Sequence, residues 1–204
     1  MILFNFATRS RPRKAQATLE SINQFCQDEY KVLLKLDFDD ETISETFEGC
    51  IYAIGVSKLK IDAINRDIPE TGWDILVNIS DDQLFIKPFS IDCGPDEFVH
   101  YPDGHVNERL STMSVIGIDY YKRFEYVYHP DYVSLWCDNE AMDVAKQLGC
   151  YRYIDEQIFI HNHPAWTGEQ PDAQLLKTQA YYRQDERTYH KRKAAGFPIK
   201  SVYS

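Results

Sequence analysis

Apolar and polar blocks alternate through the first 80 residues of the chain. "ILFNFA" (2–7) is a nearly unbroken apolar run of strand length. In "SRPRKAQATLESINQFC" that follows, Leu19, Ile22 and Phe25/Cys26 recur at helical spacing. Ser10 stands where an N-cap belongs, and Pro12 suits a first helical turn. "KVLLKL" (31–36), "CIYAIGV" (50–56) and "WDILVNIS" (73–80) read as three more strands. Between the last two, "KLKIDAINRDI" (58–68) places Leu59, Ala63 and Ile64 on one helical stripe. Strands that alternate with helices predict an α/β fold, a mostly parallel sheet with helices on both faces.

Beyond residue 90 the alternation loosens. "EFVHYPDGH" and "TMSVIGI" predict strands with a polar loop between them. "DNEAMDVAKQLG" (138–149) predicts a helix whose apolar stripe is Ala141, Val144, Ala145 and Leu148, with Gly149 at its C-cap. "EQIFIHNHP" (156–164) predicts a strand stopped by Pro164, and residues 172–195 an exposed, basic helix ended by Gly196, Phe197 and Pro198. There is no internal repeat and no low-complexity linker. The expected organisation is one domain over 1–171 with a C-terminal helical extension over 172–204.

Charge sharpens this picture. The 204 residues carry a formal net charge of −10, yet residues 1–14 hold four basic and no acidic side chains. Another seven basic groups lie in 177–204, against Asp185 and Glu186. The body between is therefore strongly acidic and repels a nucleic-acid backbone, which argues against nucleic acid as a partner. An anionic ligand would need local cations or a metal. The five cysteines are odd in number and scattered, with no CxxC pair, against a disulfide framework or zinc knuckle and for a reducing compartment. The N-terminal apolar run is short and its charges follow it, unlike a signal peptide. No segment approaches the roughly 20 apolar residues of a membrane span. A soluble, cytoplasmic protein is expected.

In parallel sheets, ligands bind at the carboxyl ends of the strands. Three of the expected strands end in polar groups: Thr8 and Arg9; Asp37, Asp39 and Asp40; Ser80, Asp81 and Asp82. A strand-end Asp can simply cap a turn. Two in succession repel one another, and a divalent cation with oxygen ligands relieves that repulsion. His161 and His163, two apart, share a face on a strand. They could both reach one metal, or form only a surface pair. Arg9, Arg11 and Arg13 lie at a strand–helix junction of the kind that attracts phosphate, as do Lys58 and Lys60 one unit later. In "WCDNE", Asp138 and Glu140 are either helix-capping acids or a general base for an acceptor hydroxyl.

Taken in chain order, these elements resemble the GT-A fold glycosyltransferases, especially the family 2 type, over most of residues 1–164. In that family a first strand leads to a polar turn, here "ATRSRPRK". A second strand ends in acids that hold the nucleoside, here "LDFDDET". A helix with an A-R-N-like signature follows, here "AIN" at Ala63–Asn65, and then a strand with a D-x-D motif, here "ISDDQLF". A later acid opens a helix as catalytic base, here "WCDNEAM", and a late histidine can complete the metal site, here "IHNHP".

The resemblance implies a Rossmann-like GT-A sheet and a metal-dependent, inverting transfer of a hexose. The donor would be a UDP- or GDP-sugar and the acceptor a carbohydrate or other hydroxyl. It implies Mn²⁺ or Mg²⁺ on Asp82, supported by Asp81 and by His161 or His163. Asp37, Asp39 and Asp40 would face the base and ribose. Thr8, Arg9, Arg11, Lys58, Lys60, Asn65, Ser80 and Asp81 would complete the donor site. Asp138 would be the base, with Glu140 in reserve. The aromatic stretch "YYKRFEYVYHPDYVSLW" (120–136) reads equally as an acceptor wall or as core. Two departures stand out: Ser80 replaces the first acid of D-x-D, and Ile64 replaces the arginine of A-R-N, with Arg66 nearby. They motivate a second reading, a nucleotide-sugar-binding module without transferase activity. A third is a metal-dependent phosphoesterase built on the Asp pair and the histidines.

Overall fold

The computed structural model describes residues 1–198; the last six residues of the expected extension lie outside the described residues. Strands β1 (Ile2–Ala7), β2 (Tyr30–Asp37), β3 (Cys50–Gly55) and β4 (Ile75–Ile79) run parallel, in the spatial order β3-β2-β1-β4. Strand β5 (Gln83–Phe85) leaves this sheet. β6 (Phe98–His100), β7 (Ser114–Gly117) and β8 (Tyr151–Tyr153) extend it in the order β4-β7-β6-β8. Only β7 runs against the rest, pairing antiparallel with β4 and β6, so the sheet is mostly parallel. Strand β9 (Phe159–His161) pairs antiparallel with β5 as a separate ribbon.

Among the described residues seven α-helices flank the sheet: α1 (Pro12–Phe25), α2 (Lys60–Asn65), α3 (Ile118–Lys122), α4 (Cys137–Leu148), α5 (Pro164–Thr167), α6 (Ala173–Gln179) and α7 (Tyr182–Ala194). Successive strand residues point to opposite faces. Ile2, Phe4 and Phe6 therefore join Val32, Leu34, Val77 and Ile79 under Ala15 and Ile22 of α1 and Phe85 and Phe159 of the ribbon. Leu3, Leu33, Leu76 and Ile116 form the opposite cluster, under Ile61 and Ile64 of α2 and Val144 and Ala145 of α4. Burial on both faces is why the central strands read as unbroken apolar runs rather than alternating ones.

Three buried polar side chains interrupt the second cluster and anchor α2. Asn5 Nδ2 donates to Asn78 Oδ1 (2.9 Å) and to the Ile64 carbonyl (3.0 Å). Lys35 Nζ donates to that same carbonyl (2.7 Å), an acceptor the helix end leaves free. Burial, reinforced by Arg66, pushes the Lys35 ammonium down to about 7.

Local expectations are corrected at four places. Arg11, not Ser10, occupies the N-cap of α1, and no side chain caps it. Ser10 has a left-handed backbone (φ 58°), and its N–H and Oγ are drawn instead to Asp40. The stripe on α2 is Ile61 and Ile64, and Leu59 is exposed, because the helix starts one residue later, at Lys60. Strand β9 stops at His161, and His163 already caps α5. Residues 172–195 form two helices, broken at Ala180–Tyr181, and α7 is not wholly exposed: Asp185 and Tyr189 are buried. Gly149 does close α4, with φ 71°. All five cysteines are unpaired. Among the described residues no helix is long and apolar enough to cross a membrane.

Phe4 is 0% exposed, and its ring meets Tyr30 and Phe85 edge-on at 5.6 and 5.9 Å. Phe4→Ala removes that packing and leaves a cavity at the centre of the sheet. The variant is expected to lose about 3–5 kcal/mol in urea unfolding.

Candidate active site

Strand register brings three loops together at the carboxyl edge of the sheet. Ala7 lies beside Lys35, and Phe6 beside Ile79, so β1, β2 and β4 release their chains at one level. Thr8 Oγ1 donates to Asp81 Oδ2 at 2.7 Å. Arg9 forks onto both Asp39 oxygens at 2.8 Å and reaches Asp37 Oδ2 at 3.0 Å. This fork holds the Asp39 carboxyl below its ordinary value. The Ser10 N–H lies 2.9 Å from Asp40 Oδ2. Arg11 Nη1 reaches Asp81 Oδ1 at 2.9 Å, while its Nε and Nη2 clasp Asp172, the N-cap of α6, at 2.8 and 2.7 Å. Asp37 Oδ1 is buried and accepts no hydrogen bond, with Arg66 3.5 Å away.

The second half of the site comes from the ribbon. Pairing of β5 with β9 sets Gln83 opposite His161, which brings that histidine back to the Ser80–Asp82 turn. His161 Nε2 lies 3.3 Å from Asp82 Oδ1, and Ser80 Oγ donates to the same oxygen. The Asn162 N–H donates to the Asp82 carbonyl at 2.7 Å. Burial opposes ionisation of Asp82, but His161, Ser80 and Lys60 outweigh it and hold its carboxyl well below the usual range. His161 behaves conversely: burial disfavours its charge, yet Asp103 and Asp82 raise it to about 9.

Asp103 was not among the expected site residues. It is buried, 3.7 Å from His161 Nδ1, and its Oδ1 accepts the N–H groups of His105, Val106 and Asn107 at 2.9, 2.8 and 3.2 Å. "PDGH" reads as an ordinary turn. Only the partnership with His161, 58 positions later in the numbering, marks it.

The remaining candidates divide. Asp138 lies in the first turn of α4, its Oδ1 accepting the Asn139 N–H at 2.9 Å. Burial raises its carboxyl above the ordinary value, and Lys60 and His161 are close enough to oppose this. Lys60 is exposed at the start of α2 and acts on both Asp82 and Asp138. His163 Nδ1 accepts the Ala165 N–H at 3.2 Å, and its ring stands edge-on to His161 at 5.6 Å. Asp81, held by Thr8 and Arg11, is pushed upward by burial.

Other candidates are committed elsewhere. Glu140 is gripped by Arg192 at 2.7 Å and accepts from Tyr132 Oη at 2.7 Å. Asn65 uses its amide on the backbone of Val127 and Tyr128. Lys58 is not committed in this way: its side chain is exposed, and it is its backbone N–H that donates to Asp62. Tyr120, Phe124, Tyr128 and Tyr132 of the aromatic stretch are buried in the second core cluster, so they are packing and not an acceptor wall.

Among the described residues, no group of three or more His, Cys, Asp or Glu is arranged to hold a metal. Mg²⁺-type sites commonly take one or two carboxylates and complete their shell with phosphate oxygens and water. Asp82 with His161 suits such a substrate-completed site. The orphaned, buried Nδ1 of His161 facing Asp103 is the outer contact that ligating histidines normally have.

No protein-family model and no curated protein matches the chain. Solved structures do. Glucosyl-3-phosphoglycerate synthase from Mycobacterium tuberculosis, in complex with Mg²⁺ and UDP, superposes with a TM-score of 0.62 at 17% identity, covering 98% of this chain and 81% of that one. Its complex with Mn²⁺, UDP and glucosyl-3-phosphoglycerate gives 0.60 at 16%, with the same coverage. A Drosophila β-1,4-galactosyltransferase 7 mutant, with manganese, UDP-Gal and xylobiose, gives 0.56 at 9%, covering 87% and 79%. The chain has the GT-A fold of the nucleotide-diphospho-sugar transferases.

The His161 value fixes the sign of a pH effect. Its folded pKa of about 9 exceeds the ordinary 6.5, so its contribution to stability is full below about pH 6.5 and is lost as pH rises through about 9. Urea unfolding without metal, followed from about pH 6 to about pH 10, is expected to show that decline. The decline should flatten in His161→Gln.

Proposed function

We propose that the protein is a metal-dependent, inverting glycosyltransferase. It moves a hexose from a UDP- or GDP-sugar to a hydroxyl of a carbohydrate or other acceptor. The observation that carries this reading is the Asp82–His161 pair, 3.3 Å apart at the carboxyl edge of a GT-A sheet, with Asp138 in the first turn of α4 close enough to feel the charge of His161. The solved relatives with UDP, UDP-Gal, Mn²⁺ or Mg²⁺ support the choice of donor and ion. Five unpaired cysteines suit a cytoplasmic setting.

Asp82 and the Nε2 of His161 would hold Mn²⁺ or Mg²⁺, with histidine more compatible with Mn²⁺. Such an ion, when bound, neutralises the diphosphate and stabilises it as a leaving group. His161 would serve as a ligand in its neutral form, with Asp103 orienting the ring from behind. Arg11 and Lys60 add positive charge on the diphosphate side of an otherwise acidic protein. Asp37, Asp39 and Asp40 offer acceptors to the base and ribose. Thr8, Ser80 and Asp81 shape the turn that carries Asp82. Asp138, its affinity for a proton raised by burial, takes the acceptor's proton. Attack opposite the leaving group inverts the anomeric centre.

Calorimetric titration with UDP and GDP, with and without Mn²⁺, and hydrolysis of a panel of sugar nucleotides test this directly. Nucleotide binding is expected to require Mn²⁺, and one donor to be turned over. Asp82→Ala should weaken Mn²⁺-dependent binding more than about tenfold, since even outer-shell changes at metal sites have that effect. Asp138→Asn should keep binding and lower turnover by about 100-fold or more. Absence of metal-dependent binding in the wild type would sink the reading. Binding without turnover across the panel would instead favour the binding module that Ser80 suggests.

A further inference from the structure

Helix α7 contributes a buried carboxylate that the reaction site itself does not contain. Asp185 is 0% exposed. Its Oδ1 accepts the N–H of Val133 at 3.0 Å, and its Oδ2 accepts those of Ser134 and Leu135 at 2.9 and 2.8 Å. Three successive amides thus converge on one anion, a backbone nest filled by the chain's own side chain. A buried carboxylate persists only with such partners.

The nest lies immediately before the proposed base. Trp136 follows with a left-handed backbone (φ 63°), Cys137 opens α4, and Asp138 is next. A bulky residue keeps that backbone only where its surroundings over-determine it. Here the Trp136 ring rests against Tyr182, Tyr189 and His190 of α7, with centroids 5.6, 5.2 and 5.8 Å away. Further along, Arg192 grips Glu140, and Tyr189 Oη donates to Asp143 at 2.7 Å. From the other side, the Val133 carbonyl accepts the Ile61 N–H at 3.3 Å, tying the same segment to α2 next to Lys60.

We propose that Asp185 is a positioning residue for the general base. By gathering the amides of Val133, Ser134 and Leu135, it sets where α4 begins and hence where the Asp138 carboxylate stands. This inference rests on the reading of Asp138 as the base. It makes α7 a working part of the transferase rather than an appendage.

Asp185→Asn keeps the size of the side chain but turns an NH₂ toward backbone donors. Amide exchange, UDP binding with Mn²⁺, and sugar-nucleotide hydrolysis are compared in the wild type, Asp185→Asn, Asp138→Asn, the double variant and Tyr189→Phe. Exchange in Asp185→Asn should accelerate over residues 133–140 and not in β1 or β4. UDP affinity should hold while turnover falls roughly 10- to 100-fold, the scale of a small misplacement of a reacting group. In the Asp138→Asn background, adding Asp185→Asn should then cause no further loss, and Tyr189→Phe should leave turnover unchanged. If Asp185→Asn does not fold, Asp185→Glu, which keeps the charge and shifts it by one methylene, carries the same comparison.

Unchanged exchange over 133–140 would overturn the inference, as would a parallel fall of UDP affinity and turnover, or independent losses in the double variant. If Asp138→Asn retains turnover, the reading of the base fails. If it loses turnover and Asp185→Asn does not, the positioning inference alone fails.

Discussion

The parallel pairing of β1 with β2 on one side and β4 on the other is the constraint from which the site follows. That register ends three strands at one level and crowds Asp37, Asp39, Asp40, Asp81 and Asp82 into a single edge. Like charges so placed must be offset. Arg9 and Arg11, on the loop that leaves the central strand, supply the first offset. The two are not equivalent. Arg9 and Asp39 meet in solvent, where screening leaves an ion pair little weight. Arg11 and Asp81 are largely buried, and breaking such a pair by removing one partner typically costs about 3–5 kcal/mol.

A second offset comes from the β5–β9 ribbon, which returns His161 to Asp82. In the metal-free protein a proton on His161 fills the role a cation would take: the histidine is driven up and both flanking carboxylates are driven down. In the proposed metal site a cation would compete with that proton for the His161 nitrogen. Asp103 serves either state, since three backbone amides keep it ionised and facing the ring.

Helices α4 and α7 show the same economy with buried charge. Glu140 meets Arg192, and Asp185 meets three amides, so neither carboxylate is left unpaired inside the protein. Residues that look alike in the sequence consequently differ in role. Asp138 and Glu140 are two apart, yet Glu140 is paired with Arg192 while Asp138 feels the charges of Lys60 and His161. Asn65, expected in the donor site, closes the backbone of the 127–128 segment.

Much of the frame was legible from local pattern alone. The strands at 2–7, 31–36 and 73–80, the helix closed by Gly149 and the acids at strand ends all follow from periodicity and turn chemistry, which short stretches of chain contain in full. The tertiary structure decided which charged groups are partnered and which remain available. Arg11 with Asp172, His161 with Asp103, Glu140 with Arg192, and Asp185 with residues 133–135 join segments distant in sequence. The choice of partner depends on strand order and on the register of β9 and α7, and no window of local sequence records either. For the same reason the aromatic run at 120–136 could be read as wall or core until the fold placed Tyr120, Phe124, Tyr128 and Tyr132 inside, and Asp103 looked like a turn residue until β9 brought His161 beside it.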